Sequence, residues 1–144
     1  MPHEDTLAKV PLFSELGRRD LRQLAQTAVE RHYKAGQTIV EQGETAVAFF
    51  VLIDGKAEVV RGLGSEHPHR LNEVAPGGFF GEMGLLDGKP RAASVRALED
   101  CVCLVLSRWD FVGELRTNPH MAVAMLPVLS RRIRELDERL EKYD

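Results

Sequence analysis

The stretch Gly77-Gly78-Phe79-Phe80-Gly81-Glu82-Met83-Gly84-Leu85-Leu86-Asp87-Gly88-Lys89-Pro90-Arg91-Ala92-Ala93-Ser94-Val95 gathers a carboxylate, a short apolar turn and, nine positions after the carboxylate, an arginine beside small residues. Gly81, Gly84 and Ala92 have little or no side chain, so backbone N–H groups there can approach a ligand closely. A short helix starting near Glu82 aims its unpaired N–H groups at an anion. Arg91 adds a permanent cation whose planar fork fits a phosphate at two points. Glu82, once ionised, only accepts hydrogen bonds, so it asks for a hydroxyl or amine rather than the phosphate itself. The stretch therefore describes a receptor for a phosphorylated ligand with a hydroxyl nearby.

Phe80 to Val95 resembles, without a gap, the phosphate-binding cassette of the cyclic nucleotide-binding domain family: Phe-Gly-Glu, a small residue, a short apolar helix, then Arg-Ala-Ala and a β-branched strand. The resemblance continues upstream in Tyr33-Lys34-Ala35-Gly36-Gln37-Thr38-Ile39-Val40-Glu41-Gln42-Gly43-Glu44. It resumes in Phe49-Phe50-Val51-Leu52-Ile53-Asp54-Gly55-Lys56-Ala57-Glu58-Val59. A lone glycine-rich loop is a weak signal, whereas three motifs in the family's order are a strong one. The family includes the regulatory subunits of cAMP-dependent protein kinase and the bacterial catabolite activator protein. Its ligand, with one phosphate and one ribose 2′-hydroxyl, meets both demands read above.

The resemblance implies an antiparallel, eight-stranded, jelly-roll-like β-roll with an N-terminal helix and C-terminal helices. It implies a ligand site built from Phe80, Gly81, Glu82, Met83, Gly84, Arg91, Ala92 and Ala93. Within that site it assigns Arg91 to the phosphate and Glu82 to the ribose 2′-hydroxyl. Backbone N–H groups near Gly84 and Ala92 go to the ligand's polar oxygens. In similar domains that prefer cGMP, a threonine or serine often follows the arginine; Ala92 has no hydroxyl, which favours cAMP over cGMP. Val59 and Leu71 are candidates for apolar packing against ribose or base. Aligned with the catabolite activator protein, Leu136 and Asp137 of the last helix fall near the base, where that protein offers hydroxyl residues and this chain does not.

Outward from the cassette, the chain is organised simply. At 144 residues it is read as one domain, long enough for a single core: N-terminal helices at about 4–29, a β-roll at about 30–107 and C-terminal helices at about 108–143. Residues 14–29 carry Leu16, Leu21, Leu24, Ala25 and Val29 at helical spacing, with Asp20 a possible cap. From Arg31 to Leu106, short β-branched or aromatic runs alternate with turn signals such as Ala35-Gly36, Gln42-Gly43, Asp54-Gly55, Pro76-Gly77-Gly78 and Asp87-Gly88. That cadence argues for an antiparallel sandwich or barrel. Ser107 is placed to cap a short helix that stops at Asn118-Pro119. A longer one runs from about His120 to Tyr143, and Pro127 within it is expected to kink or break it. Leu126, Leu129, Ile133, Leu136 and Leu140 form one stripe there, flanked by Arg131, Arg134, Glu135, Glu138 and Arg139. The stripe is expected to support a homodimer through 126–140.

A net charge of −3 argues against a nucleic-acid or membrane-surface binder. The polar, acidic start Met1-Pro2-His3-Glu4-Asp5 shows no secretory signal and no apolar run is long enough to span a bilayer, so a cytoplasmic protein is expected. Cys101 and Cys103, two apart in a strand-like run, face one side and are read as small buried residues. His67-Pro68-His69 with Glu73 resembles the first metal motif of cupins, but the second motif has no counterpart downstream, so a cupin-like metalloprotein is the remote alternative and no metal is expected. No nucleophile–base pairing argues for catalysis. The expected function is a non-enzymatic sensor of cAMP, with cGMP as the other candidate ligand, acting through its C-terminal helices on an unknown protein effector. The alternative is the sensor half of a catabolite-activator-type transcription regulator, since no helix-turn-helix follows the last helix within these residues.

Overall fold

The computed structural model describes residues 3–141. Helix α1 (His3–Ala8) and a 3₁₀ turn (Pro11–Phe13) lead into α2 (Arg18–Thr27). Eight strands follow: β1 (Val29–Tyr33), β2 (Thr38–Val40), β3 (Ala48–Asp54), β4 (Ala57–Arg61), β5 (His69–Val74), β6 (Phe79–Phe80), β7 (Ser94–Ala97) and β8 (Cys101–Ser107). Helix α3 (Glu82–Asp87) interrupts them between β6 and β7, and α4 (Arg108–Thr117) and α5 (Pro119–Glu141) close the order.

The strands form two four-stranded sheets, β1-β8-β3-β6 and β2-β7-β4-β5, with every pairing antiparallel. This is the expected eight-stranded roll with helices before and after it. Alternation along β3 and β8 builds two cores from one sheet. Phe50, Leu52, Cys101, Cys103 and Val105 point into the roll against Val40, Val74, Val95 and Ala97 of the other sheet. Phe49, Val51, Leu104 and Leu106 point outward and are covered by Leu7, Phe13, Leu24, Phe111 and Met121 of the helices. The first sheet is therefore buried on both faces along β3 and β8, while its edge strand β1 is exposed. Across the outer face of the second sheet, Arg70 and Arg96 donate to Glu58, at 2.7 Å and 3.0 Å.

The two cysteines share the roll interior as expected, both as free thiols. Burial pushes the Cys103 thiol up to about 12. Of the cupin-like residues, Glu73 accepts from Arg70 at 2.8 Å. Among the described residues, no three His, Cys, Asp or Glu side chains gather as a metal cluster.

Three local expectations need correction. The N-terminal helical stretch is not one helix over 14–29: α2 starts after Gly17, whose carbonyl accepts from Leu21 N–H at 3.0 Å. Asp20 lies inside the first turn, and its carboxylate meets His120 at 3.0 Å instead of capping. Val29 is no part of the helix stripe. The chain turns extended at Ala28, because Val29 begins the ladder with Val105, and Val29 is 49% exposed. Of the two outcomes expected at Pro127, finally, the break does not occur, since the last helix runs through it as one element. Its missing N–H leaves the Val123 carbonyl without its helical donor, and both residues are exposed, so water can replace the lost bond. Ser107 caps α4 as expected, accepting from Asp110 N–H at 3.0 Å. The expected end of α5 at Tyr143 lies outside the described residues.

Candidate functional site

A cavity of about 380 Å³ opens between α3 and the inner face of the second sheet. Val40, Val59, Leu71 and Val95, one residue from each strand of that sheet, make an apolar floor. The rim is the first turn of α3 and the strap Lys89–Ala93. Phe80, Gly81, Glu82, Met83, Gly84, Arg91, Ala92, Ala93, Val59 and Leu71 all line it.

The strap is positioned by the loop after β2. Arg91 N–H donates to the Glu44 carbonyl at 2.8 Å, and the Arg91 carbonyl accepts from Gly43 N–H at 2.9 Å. The guanidinium then reaches back under α3. One nitrogen donates to the Ala48 carbonyl at 2.5 Å, and the carbon lies 5.7 Å from the centre of the Phe50 ring. Phe50 is itself stacked on Phe80, 4.9 Å between centroids. Burial lowers the Arg91 pKa and the nearby Glu44 carboxylate partly opposes it, while a guanidinium stays charged under all ordinary conditions. Among the described residues Arg91 forms no ion pair. A half-buried cation held by a carbonyl and a ring, with no carboxylate in ion-pair contact among the described residues, is poised for an anion.

Two glycines make this arrangement possible. Gly81 caps α3 with φ of 86°, and a Cβ there would run into the Arg91 guanidinium. At Gly84 a Cβ would run into the Ala46 methyl group, so α3 packs on the loop before β3 only because the side chain is absent.

Glu82 is 6% exposed. Its Oε1 pairs with Arg132 of α5, fifty residues away, while Oε2 is buried and has no hydrogen-bond partner among the described residues. The cavity lining thus brings together a half-buried cation, the Glu82 carboxylate and an apolar floor. It can take an anionic group, a hydroxyl and a flat apolar body together. Ser94, the hydroxyl residue of the strap's end, is committed elsewhere: its Oγ accepts from Gln42 N–H at 2.9 Å.

Leu136 is not brought to the cavity; it is 50% exposed on the far half of α5. Arg132, one turn earlier, is the α5 residue that reaches the site. The sequence carries a signal for it. Met121, Met125 and Val128 are the buried residues of α5, and the same 4-3-4 spacing continues to Arg132. Of the leucine stripe, Leu129 packs against the helical core, whereas Leu126, Ile133, Leu136 and Leu140 are exposed. Ala48 and Phe50, which hold the Arg91 guanidinium, carry no sequence mark beyond strand pattern.

Residues 30–118 match the model of the cyclic nucleotide-binding domain family. The cyclic AMP receptor protein of Thermus thermophilus is 34% identical over 131 residues, which is 91% of this chain and 61% of that protein. The cAMP-dependent protein kinase regulatory subunit of Aspergillus fumigatus is 39% identical over 109 residues, 76% of this chain and 26% of that one. Among solved structures, the N-terminal domain of a transcriptional regulator from Streptomyces coelicolor A3(2) superposes with a TM-score of 0.84 at 28% identity, covering 94% of both chains. The chain thus spans less than two thirds of the length of these two curated relatives.

Proposed function

The chain belongs to the cyclic nucleotide-binding domain family, and from that premise we propose that it is a cAMP-preferring, non-enzymatic sensor signalling through its C-terminal helices. The observation that carries the reading is that the half-buried Arg91, which forms no ion pair among the described residues, lines one cavity with Glu82. A cyclic phosphate would take the Arg91 fork and the first-turn N–H groups of α3. The ribose 2′-hydroxyl would donate to Glu82. The base would lie over Val59 and Leu71, beside Ala92, where no side-chain hydroxyl waits for a guanine amino group. The family is a regulatory one; that this chain performs no chemistry is part of the proposal, as are a cytoplasmic setting and an unidentified protein effector.

Isothermal titration with cAMP, cGMP and 5′-AMP tests the reading. cAMP is expected to bind most tightly and 5′-AMP, with its extra charge and open phosphate, most weakly. A parent protein that binds neither cyclic nucleotide overturns it, and one that prefers cGMP overturns the argument from Ala92.

Two further features belong to the proposal. Leu126, Ile133, Leu136 and Leu140 are exposed along α5, and the flanking Arg131, Arg134, Glu135, Glu138 and Arg139 mix signs that can pair across a two-fold axis. We assign this face to a second copy of the chain. The second reading, the sensor half of a transcription regulator, is favoured by the Thermus and Streptomyces likenesses. With a net charge of −3, these 144 residues are not expected to hold DNA themselves, which a mobility-shift assay checks.

A further inference from the structure

We propose that Glu58, on the face of the second sheet that points away from the cavity, is a positioning residue for the ligand. It clamps β7, β4 and β5 together through two arginines and so holds Leu71 in the cavity floor. The inference rests on the cyclic nucleotide reading of the site and goes beyond it, giving a charge cluster outside the cavity a part in recognition.

Glu58 and Glu82 are the buried carboxylates among the described residues. A carboxylate at that depth is costly unless it is paired and hydrogen-bonded. Both oxygens of Glu58 are occupied. Oε1 accepts from Arg96 Nε of β7 at 3.0 Å, and Oε2 accepts from Arg70 Nε of β5 at 2.7 Å. Arg70 also donates to Glu73 at 2.8 Å. Burial pushes the Glu58 carboxyl up, but the hydrogen bonds and charges of the two arginines outweigh it and hold the group below its ordinary value. The clamp is therefore ionic at neutral pH, and a single carboxylate ties three neighbouring strands.

Successive strand residues point to opposite faces of a sheet. Glu58 precedes Val59, Arg70 precedes Leu71 and Arg96 follows Val95; the three apolar neighbours line the cavity and the three charged residues do not. The clamp thus grips from behind three of the four strands that supply the floor. Its hold matters most on β5, the edge strand of its sheet, where five of six residues are exposed. There Val59 pairs with Asn72 and Val60 with Arg70, so Leu71 between them has no partner of its own on β4. A bulged residue of this kind is left out of the ladder, and its side chain is aimed by what holds its neighbours. The Arg70–Glu58 bond is the side-chain tie next to Leu71, and it fixes the bulge with Leu71 toward the cavity.

Hydrogen exchange of the whole chain without ligand tests the clamp, and cAMP titration tests its part in recognition. The Arg70 side chain is 49% exposed, so Arg70→Gln leaves no hole in the core, and Glu58 keeps Arg96. This variant is expected to speed exchange in β5 several-fold while β3 and β8 stay slow, which separates loss of the clamp from unfolding. It should also bind cAMP several-fold more weakly. In a Leu71→Ala background the same change should cost no further affinity, because it acts through Leu71. Arg70→Lys keeps the charge without the fork that serves Glu58 and Glu73 together, and should fall between parent and Arg70→Gln. Glu58→Gln should weaken cAMP at least as much as Arg70→Gln; should it fail to fold, the two Arg70 variants decide alone. Unaltered β5 exchange in Arg70→Gln overturns the clamp. Faster exchange with unaltered affinity, or an equal loss in the Leu71→Ala background, overturns the positioning of Leu71. A wild type that binds no cyclic nucleotide overturns the functional reading and the part in recognition together, and the ligand-free exchange still decides the clamp.

Discussion

The cassette, residues 79–95, and the outer half of α5, residues 130–141, meet at Glu82 but are built by opposite rules. The cassette is held from every side. Backbone bonds from Gly43 and Glu44 fix its strap, the Ala48 carbonyl and Phe50 fix its guanidinium, and Leu85 anchors α3 in the core. The outer half of α5 has no core residue and one partly buried charge contact. Segments with few buried apolar contacts open at low free energy, whereas a densely bonded one moves only with the whole fold. The contrast describes a rigid receptor facing a loosely held reader.

The sharpest way to break that contrast is to empty the receptor of its cation. Arg91→Ala is expected to weaken cAMP by on the order of 2–5 kcal/mol, since a desolvated, charge-assisted contact is lost. The fold should persist, because Arg91 lines the cavity rather than the core. Titration calorimetry of variant and parent is the measurement, and equal affinity removes Arg91 from the site.

On the reader's side, Leu140→Asp asks whether the exposed face of α5 is covered by a second copy. Leu140 is 65% exposed, so the change leaves the monomer's packing alone. If the stripe is a dimer seam, each leucine buried there contributes about 1.5–3 kcal/mol, and a charge in its place should shift light-scattering mass from dimer to monomer. A parent protein of monomer mass at high concentration, with and without cAMP, ends the dimer proposal. Because Leu140 lies two turns beyond Arg132, the variant should keep its cAMP affinity.

Gly81→Ala probes the receptor's rigidity instead of its charge. The new methyl group meets both a left-handed backbone, φ of 86°, and the Arg91 guanidinium. The backbone conformation alone should cost about 1 kcal/mol, and moving Arg91 adds to that. A lowered Tm together with weakened cAMP binding is expected. An unchanged Tm with full binding would mean the cassette is softer than its contacts imply.

How much of this was legible follows the same division. Nearly all of the receptor lies within one stretch, so small residues, a helix start and an arginine at fixed spacing were enough to find the cavity's rim. The floor residues Val59 and Leu71 came from the family resemblance and line the cavity too. An antiparallel sandwich or barrel was legible from turn chemistry between short β-branched runs, and its eight strands followed from the family resemblance. What was missed depends on contacts distant in sequence. Asp20 looks like a cap until His120, a hundred residues on, takes its carboxylate. Val29 fits a helix stripe until β8 offers it a ladder. Arg132 continues the spacing of Met121, Met125 and Val128 but, as one charge among many on a polar helix, does not by itself say that the helix will lie over Glu82. The alignment that put Leu136 near the base chose an exposed face of α5, since apolar spacing marks a surface needing cover without saying which body covers it.

The smallest expected effect concerns the one rim position where side-chain chemistry, not backbone shape, chooses the base. Ala92 is exposed at the cavity edge, directly after the cation, and offers a methyl group only. Replacing it by threonine adds a hydroxyl that a guanine amino group can donate to and that adenine has no matching use for. One added hydrogen bond is worth about 0.5–1.5 kcal/mol net, so Ala92→Thr should narrow the preference for cAMP over cGMP several-fold, chiefly by strengthening cGMP. The strap is fixed through the backbone of Arg91, so the substitution should leave cAMP affinity nearly unchanged. Competition binding with both nucleotides reads the ratio directly. If threonine weakened both ligands alike, the strap would be yielding under the larger side chain and the receptor would not be the rigid partner of the pair. If the ratio stayed put, the base would lie away from Ala92, and selectivity would have to come from α5.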